Sequence, residues 1–157
     1  METIQIDFDP ERISYEKLLQ LFFSGHNPTW PSPARQYASA IFYHDEEQER
    51  MAKEAMMDAG ERYGKKISTE LLSYNGFTRA EDYHQKYYLR SNDNLMDQYK
   101  ERFPNQDAFT DSTAAARVNG YIGGNGTTEQ LEKEKDELGI SVEAVEALQG
   151  ILKRKGK

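Results

Sequence analysis

The side chains able to do chemistry in this sequence are mostly aromatic and acidic. The densest group is Ala80-Glu81-Asp82-Tyr83-His84-Gln85-Lys86-Tyr87-Tyr88, which sets acids, a histidine and tyrosines within about two helical turns. At helical spacing Tyr83 and Tyr87 share one face and His84 and Tyr88 another. Tyrosine and histidine tips are short-range hydrogen-bond donors. Around a small apolar space they suit a polar ligand atom carried on an apolar body. The same spacing fits an amphipathic helix with an aromatic core face and His84 as a satisfied structural histidine, and the pattern leaves both readings open. Tyr37 follows Gln36 at the entrance of a strand, where a polar head can face a pocket. Glu2 places a carboxylate at the start of the chain, and Tyr121 a phenol in a later glycine-rich stretch. Trp30, the only tryptophan, is either a lid on the local core or a pocket wall for an apolar ligand.

Other chemistries find no support. His26, His44 and His84 lie far apart without metal-ligand spacing, so no metal site is expected. The glycines at 120–126 follow no nearby strand and precede no Lys-Ser/Thr pair, so they are not a phosphate cradle. No strand-turn-helix elbow supports a serine triad, and the 27 acidic residues include no distinctive pair. The chain has no cysteine, which excludes disulfides, thiolate metal sites and a cysteine nucleophile of its own. A net charge of −7 argues against nucleic-acid binding. No apolar run approaches the roughly 20 residues of a spanning helix. Met1 leads straight into an alternating pattern with no leader signal. A cytoplasmic protein is expected, with no membrane partner.

Positioning these groups requires several elements. Ile4, Ile6 and Phe8 alternate with Thr3, Gln5 and Asp7, which predicts a half-buried strand over 3–8, ended by Asp9-Pro10. Ser14 caps a helix whose stripe is Tyr15, Leu18, Leu19, Phe22 and Phe23, and Gly25 stops it. Three prolines in 26–35 make a rigid loop that delivers the chain to Tyr37. Residues 38–43 predict a strand covered on both faces. Asp45 and Gln48 offer a capping box for a helix to about 63, with Ala52, Ala55, Met56, Ala59 and Tyr63 inward. A further strand is expected over 67–72, a turn at Asn75-Gly76, and a helix over about 80–89. Helices follow at about 93–102 and 107–116, separated by Phe103-Pro104-Asn105. The glycines of 119–126 predict a flexible loop. Thr127 and Gln130 then form a capping box for a helix to about 138, and Ser141 caps a last helix. Lys153, Arg154, Lys155 and Lys157 form a basic tip that suits a helix C-terminus. Strand-helix succession followed by helices predicts an α+β two-layer sandwich over 1–90 with a helical C-terminal extension over 91–157.

Five blocks also resemble one family in order. These are Ile6-Asp7-Phe8-Asp9-Pro10, Ile13 to Leu19 with Phe22-Phe23, His26-Asn27-Pro28-Thr29, Gln36-Tyr37 through Gln48, and Ala80 to Gln85. They are similar to the A-type peptide methionine sulfoxide reductases, above all animal, insect-type members, and Asn119-Gly120-Tyr121 with Gly123 resembles that family's Asn-Gly-Tyr-Cys-Gly segment. The resemblance implies a ferredoxin-like-derived reductase fold, protein repair under oxidative stress, methionine-S-sulfoxide, free or in proteins, as substrate, and thioredoxin or another thiol as reductant without a further cofactor. In that family a cysteine thiolate in a Gly-Cys-Phe-Trp-Gly motif attacks the sulfoxide sulfur, giving methionine and a cysteine sulfenic acid. A glutamate protonates the departing oxygen and a tyrosine hydrogen-bonds it. By position these are Glu2 and Tyr37 here. His84 and Tyr121 match positions lining the methionine pocket.

The departures are as informative as the matches. The nucleophile motif, its strand and its helix have no counterpart in these residues, Ser32 stands where the wider family has an aspartate, and Ile122 stands at a recycling cysteine. Two expectations follow: a reductase-family chain that is inactive as it stands, or a binding module for oxidised-methionine peptides or a protein partner. A truncated isoform is expected, begun at an internal methionine, with Gly-Cys-Phe-Trp-Gly encoded in frame upstream.

Overall fold

The computed structural model describes residues 1–103 and 105–155. Pro104 of the predicted break and Lys157 of the basic tip lie outside the described residues. The chain divides into two compact units, Met1–Thr78 and Arg79–Lys157. Residues 79–90, which the sequence groups with the first domain, therefore fold within the second unit.

The first unit is α+β. Helix α1, Tyr15–Ser24, begins where Ser14 Oγ accepts the Lys17 amide and ends at Gly25. Strand β1, Ala40–Tyr43, runs into helix α2, Glu46–Tyr63, and strand β2, Glu70–Ser73, returns parallel to β1 with Ile41 opposite Leu71. Parallel neighbours need a crossover, and α2 supplies it. Asp45 Oδ1 accepts the Gln48 amide at 2.8 Å, while Gln48 Oε1 reaches back to the His44 amide rather than to that of Asp45. Leu19, Phe23, Ile41, Ala52 and Ala59 form the core, with Met51, Met56, Ile67 and Leu71 against it. The alanines are completely buried, and their small size lets α2 approach its neighbours closely. Met57, by contrast, points to solvent.

The predicted strand over 3–8 is not formed: residues 1–9 carry no regular structure, and Ile4 is 80% exposed. Alternation describes a surface that a strand could bury. A strand also needs a paired neighbour, and residues 3–8 pair with neither β1 nor β2.

The second unit is helical among its described residues. After a 3-10 turn at Asp82–His84 come α3 (Tyr87–Arg90), α4 (Asp93–Arg102), α5 (Gln106–Asp111), α6 (Thr113–Gly123), α7 (Thr128–Leu138) and α8 (Val142–Lys155). Asn92, Asn105, Ser112, Thr127 and Ser141 each cap the following helix through a side-chain oxygen. The Thr127–Gln130 capping box closes in both directions. Tyr99, Phe109, Val118, Leu131, Leu138 and Leu148 fill the core. Tyr99 stacks on Phe103 and meets Phe109 edge-on, and its hydroxyl donates to the Leu138 carbonyl at 2.8 Å.

Three expectations are corrected here. The helix over 80–89 is broken by Lys86 at φ +55°, so Tyr83 and Tyr87 do not share a helical face. The helix over 107–116 is two, because Ser112 ends α5 and caps α6. The glycine stretch is not a loop throughout, since α6 continues to Gly123. No helix of the described residues is long and apolar enough to cross a membrane.

Ile4 and Ile6 present apolar surface to solvent, so the protein is expected to enhance the fluorescence of a dye that reports exposed apolar surface. Replacing both by serine should lower that signal while moving stability by less than about 0.5 kcal/mol each, the range for surface changes. Titration with dye and a denaturant melt check this. A large loss of stability in the double variant would show these side chains to be buried.

Candidate functional site

The loop after α1 positions the first group of candidates. Asn27 Oδ1 accepts both the Thr29 amide and the Thr29 hydroxyl, at 3.0 and 2.8 Å. The Ser68 amide donates to the Pro28 carbonyl and its hydroxyl to the Thr29 carbonyl. The loop is thereby held against the chain that enters β2. Trp30 projects from it with 75% of its surface exposed, so it does not lid the local core. Ser32 spends its hydroxyl on the Ala34 carbonyl.

Arg35–Tyr37 then forms a 3-10 turn, closed by the Tyr37 amide on Ala34 and the Ala38 amide on Arg35. Arg35 reaches Glu70 with a solvent-exposed contact to both carboxylate oxygens. Tyr37 is 60% exposed. The Glu2 amide donates to the Gln36 carbonyl at 2.8 Å, which brings the backbone of Glu2 beside the residue preceding Tyr37.

Behind this turn lies a partly buried polar relay that the sequence reading missed. His26 Nδ1 is 2.9 Å from the Phe22 carbonyl, His26 Nε2 is 2.9 Å from Ser39 Oγ, and Ser39 Oγ is 3.0 Å from Thr69 Oγ1. A carbonyl only accepts, so Nδ1 carries the proton and donates to it. In the neutral ring Nε2 then accepts from the Ser39 hydroxyl, whose oxygen accepts from Thr69. Thr69 is buried and the other two are partly so. The partners are 13 and 30 residues apart, so no local spacing signals them.

The second group lies in the helical unit. His84 is exposed, its ring against Tyr83 and its Nε2 3.8 Å from the Glu81 carboxylate. Tyr121 is buried in α6. Its hydroxyl donates to Glu134 Oε2 at 2.8 Å, and Arg117 holds the other carboxylate oxygen at 2.7 Å. Burial first, then the hydrogen-bonded Glu134 carboxylate, push the Tyr121 phenol up to about 12. Burial does the same to Tyr99. Asn119 Oδ1 accepts the Leu89 amide and so anchors α3, and Ile122 packs on the helical core. No group of three metal-ligating side chains is present among the described residues.

The model of the family described as peptide methionine sulfoxide reductase matches residues 1–118. The chain belongs to that family. The helical domain of selenoprotein methionine sulfoxide reductase A matches residues 104–153. A Drosophila melanogaster peptide methionine sulfoxide reductase is 37% identical over 142 residues, covering 89% of this chain and 56% of its own length. Relatives from Sulfolobus acidocaldarius and Thermus thermophilus, each named peptide methionine sulfoxide reductase MsrA, are 44% and 43% identical. They cover 55% and 57% of this chain, and 52% and 53% of their own lengths. The chain thus spans about half the length of the curated relatives it matches.

Two outcomes are expected. Ser39→Ala removes the centre of the relay and leaves His26 and Thr69 short of a partner, which should cost about 1–3 kcal/mol of stability. A denaturant melt reads this, and an unchanged midpoint would mean the relay is not formed. The Tyr121 proton is held more tightly in the fold than in the unfolded chain. Its stabilisation is therefore complete below the ordinary tyrosine value near 10 and is lost as pH rises towards about 12. Tyr121→Phe should weaken that alkaline loss, leaving the parts due to Tyr99 and Tyr15, whose phenols burial also raises.

Proposed function

We propose that these residues form a peptide-methionine (S)-S-oxide reductase chain that is catalytically incomplete on its own. The observation that carries this is the absence of cysteine from all 157 residues. Reducing a sulfoxide breaks its S–O bond while a second sulfur is oxidised. The thiolate becomes a sulfenic acid, the sulfoxide becomes a thioether, and an acid protonates the oxygen. An alcohol does not replace the thiol, because taking up that oxygen would require an O–O bond. Ser39, although hydrogen-bonded to His26, therefore offers no route.

What these residues retain in this reading is recognition of the substrate. The Tyr37 hydroxyl and the Glu2 carboxyl serve as donors to a sulfoxide oxygen, and the backbone bond between Glu2 and Gln36 supports their proximity. By resemblance alone, His84 and Tyr121 match positions that line the family's methionine pocket. The fold behind this is the ferredoxin-like-derived reductase fold with a helical extension. The role is repair of methionine-S-sulfoxide in cytoplasmic proteins, with thioredoxin reducing a thiol that these residues do not supply.

A second reading has its own support. Trp30 and Tyr37 are exposed aromatics on a loop and turn fixed by Asn27, Ser68 and the His26 relay. Fixed aromatics bind with little loss of freedom, as a module for oxidised-methionine peptides would.

Incubation with dithiothreitol and a methionine-S-sulfoxide peptide is expected to give no turnover above a buffer blank, and turnover would overturn the inactive reading. Trp30 is the only tryptophan, so its fluorescence reports peptide binding directly. Saturable quenching that weakens in Tyr37→Phe supports the binding module, and no change on adding peptide removes it.

A further inference from the structure

The chain contains three Asn-Gly pairs, Asn75-Gly76, Asn119-Gly120 and Asn125-Gly126. Such a pair carries chemistry of its own. The amide nitrogen of the glycine can attack the side-chain carbonyl carbon of the asparagine and close a succinimide ring, because glycine has no side chain to obstruct the approach. The two atoms meet only where the backbone is free to turn and the amide is not held in a hydrogen bond. The fold puts the three pairs in three different settings.

Asn119 and Gly120 lie inside α6, and Asn119 Oδ1 accepts the Leu89 amide. Asn125 and Gly126 join α6 to α7. The Asn125 amide donates to the Gly120 carbonyl at 2.9 Å, and its Nδ2 reaches the same oxygen. Gly126 lies against the Tyr121 ring, and the Thr127 capping box follows at once. Asn75 and Gly76 instead follow β2 in an exposed stretch without regular structure. The Tyr74 amide donates to the Tyr43 carbonyl, and past it no hydrogen bond holds Asn75 or Gly76 among the described residues. Gly76 has φ +95°, and a Cβ there would meet nothing within 4 Å.

We propose that Asn75 is a site of spontaneous modification, at which the side-chain amide becomes a carboxylate without an enzyme. The Gly76 nitrogen gives its proton to base and bonds to the Asn75 side-chain carbon, and Nδ2 leaves as ammonia. Water then adds to one carbonyl of the succinimide and breaks its C–N bond. Opening on one side gives aspartate. Opening on the other gives isoaspartate, whose main chain runs through the former side chain. No oxidant or cofactor enters. Either product adds one negative charge to the net −7, next in the chain to Tyr74, whose ring stacks on His44. The reaction is independent of the reductase reading, since it uses no residue assigned to the sulfoxide.

The test is incubation of the full chain in mildly alkaline buffer, followed by proteolysis and mass spectrometry of the three Asn-Gly peptides. Asn75 is expected to convert first, giving aspartate and isoaspartate forms that separate by chromatography, at a rate that rises with pH. Asn119 and Asn125 should react at least about tenfold more slowly in the folded chain, because α6 or the Thr127 cap must first open locally. In denaturant the three rates should draw together, which assigns the difference to the fold. Asn75→Gln should abolish the first product and leave the denaturant midpoint unchanged. Conversion of Asn119 or Asn125 as fast as Asn75 in the folded chain overturns the proposal. So does a rate at Asn75 that rises as steeply as theirs when the chain is unfolded.

Discussion

The first unit depends on one partly buried polar relay. Its sheet has two strands of four residues each, too short for ladder hydrogen bonds alone to fix their entry. His26, Ser39 and Thr69 tie the end of α1 to the residues just before β1 and β2. Each member is satisfied within the protein, so burial strengthens the bonds rather than penalising the groups. The relay also sets where Tyr37 falls, because Ser39 is only two residues further along. The exposed turn that carries the candidate chemistry thus takes its position from a partly buried hydrogen-bond chain. The Arg35–Glu70 contact outside it is exposed and adds little.

The second unit rests on aromatic packing and on caps. The six helices among the described residues (none longer than 14 residues there) would be marginal in isolation. Each described N-terminus among α4 to α8 has a side-chain acceptor for its free amides, and Tyr99, Phe103 and Phe109 meet at the centre. Two glycines are set by neighbours. A Cβ at Gly123 would lie 3.1 Å from the Tyr88 ring, and one at Gly126, where φ is +90°, would lie 2.7 Å from the Tyr121 ring. The glycine-rich stretch is therefore close packing around two tyrosines, with only its end acting as a turn.

What was legible in the sequence was what is decided locally. Ser14, Asp45, Thr127 and Ser141 cap helices because the bond each makes lies three residues ahead. The α1 stripe was readable for the same reason. The strand over 3–8 was not, since its alternation is a burial pattern whose partner must come from elsewhere. The helix over 80–89 failed because one distant and one nearby side chain take its backbone groups. Asn119 takes the Leu89 amide, and Arg90 takes the Gln85 carbonyl across the bend at Lys86. In the candidate site, Glu2 and Tyr37 came from family motifs, while His26 with Ser39 and Thr69, and Glu134 with Tyr121, became visible only through the fold.

The same separation bears on chemistry. A thiol reductase needs a nucleophile, an acid and an oxygen-binding donor, and these can be lost independently because each enters from a different part of the chain. Here the acid and the donor, as assigned by resemblance, sit on a short exposed segment and an exposed turn, whereas the relay that fixes the turn is partly buried. The buried cores of both units form without a cysteine. A family chain without its nucleophile can therefore keep the scaffold that orients Tyr37. The scaffold's persistence is explained by packing and hydrogen bonding alone, and it argues neither for nor against turnover. The redox requirement for a second sulfur bears on that, and these residues contain no cysteine.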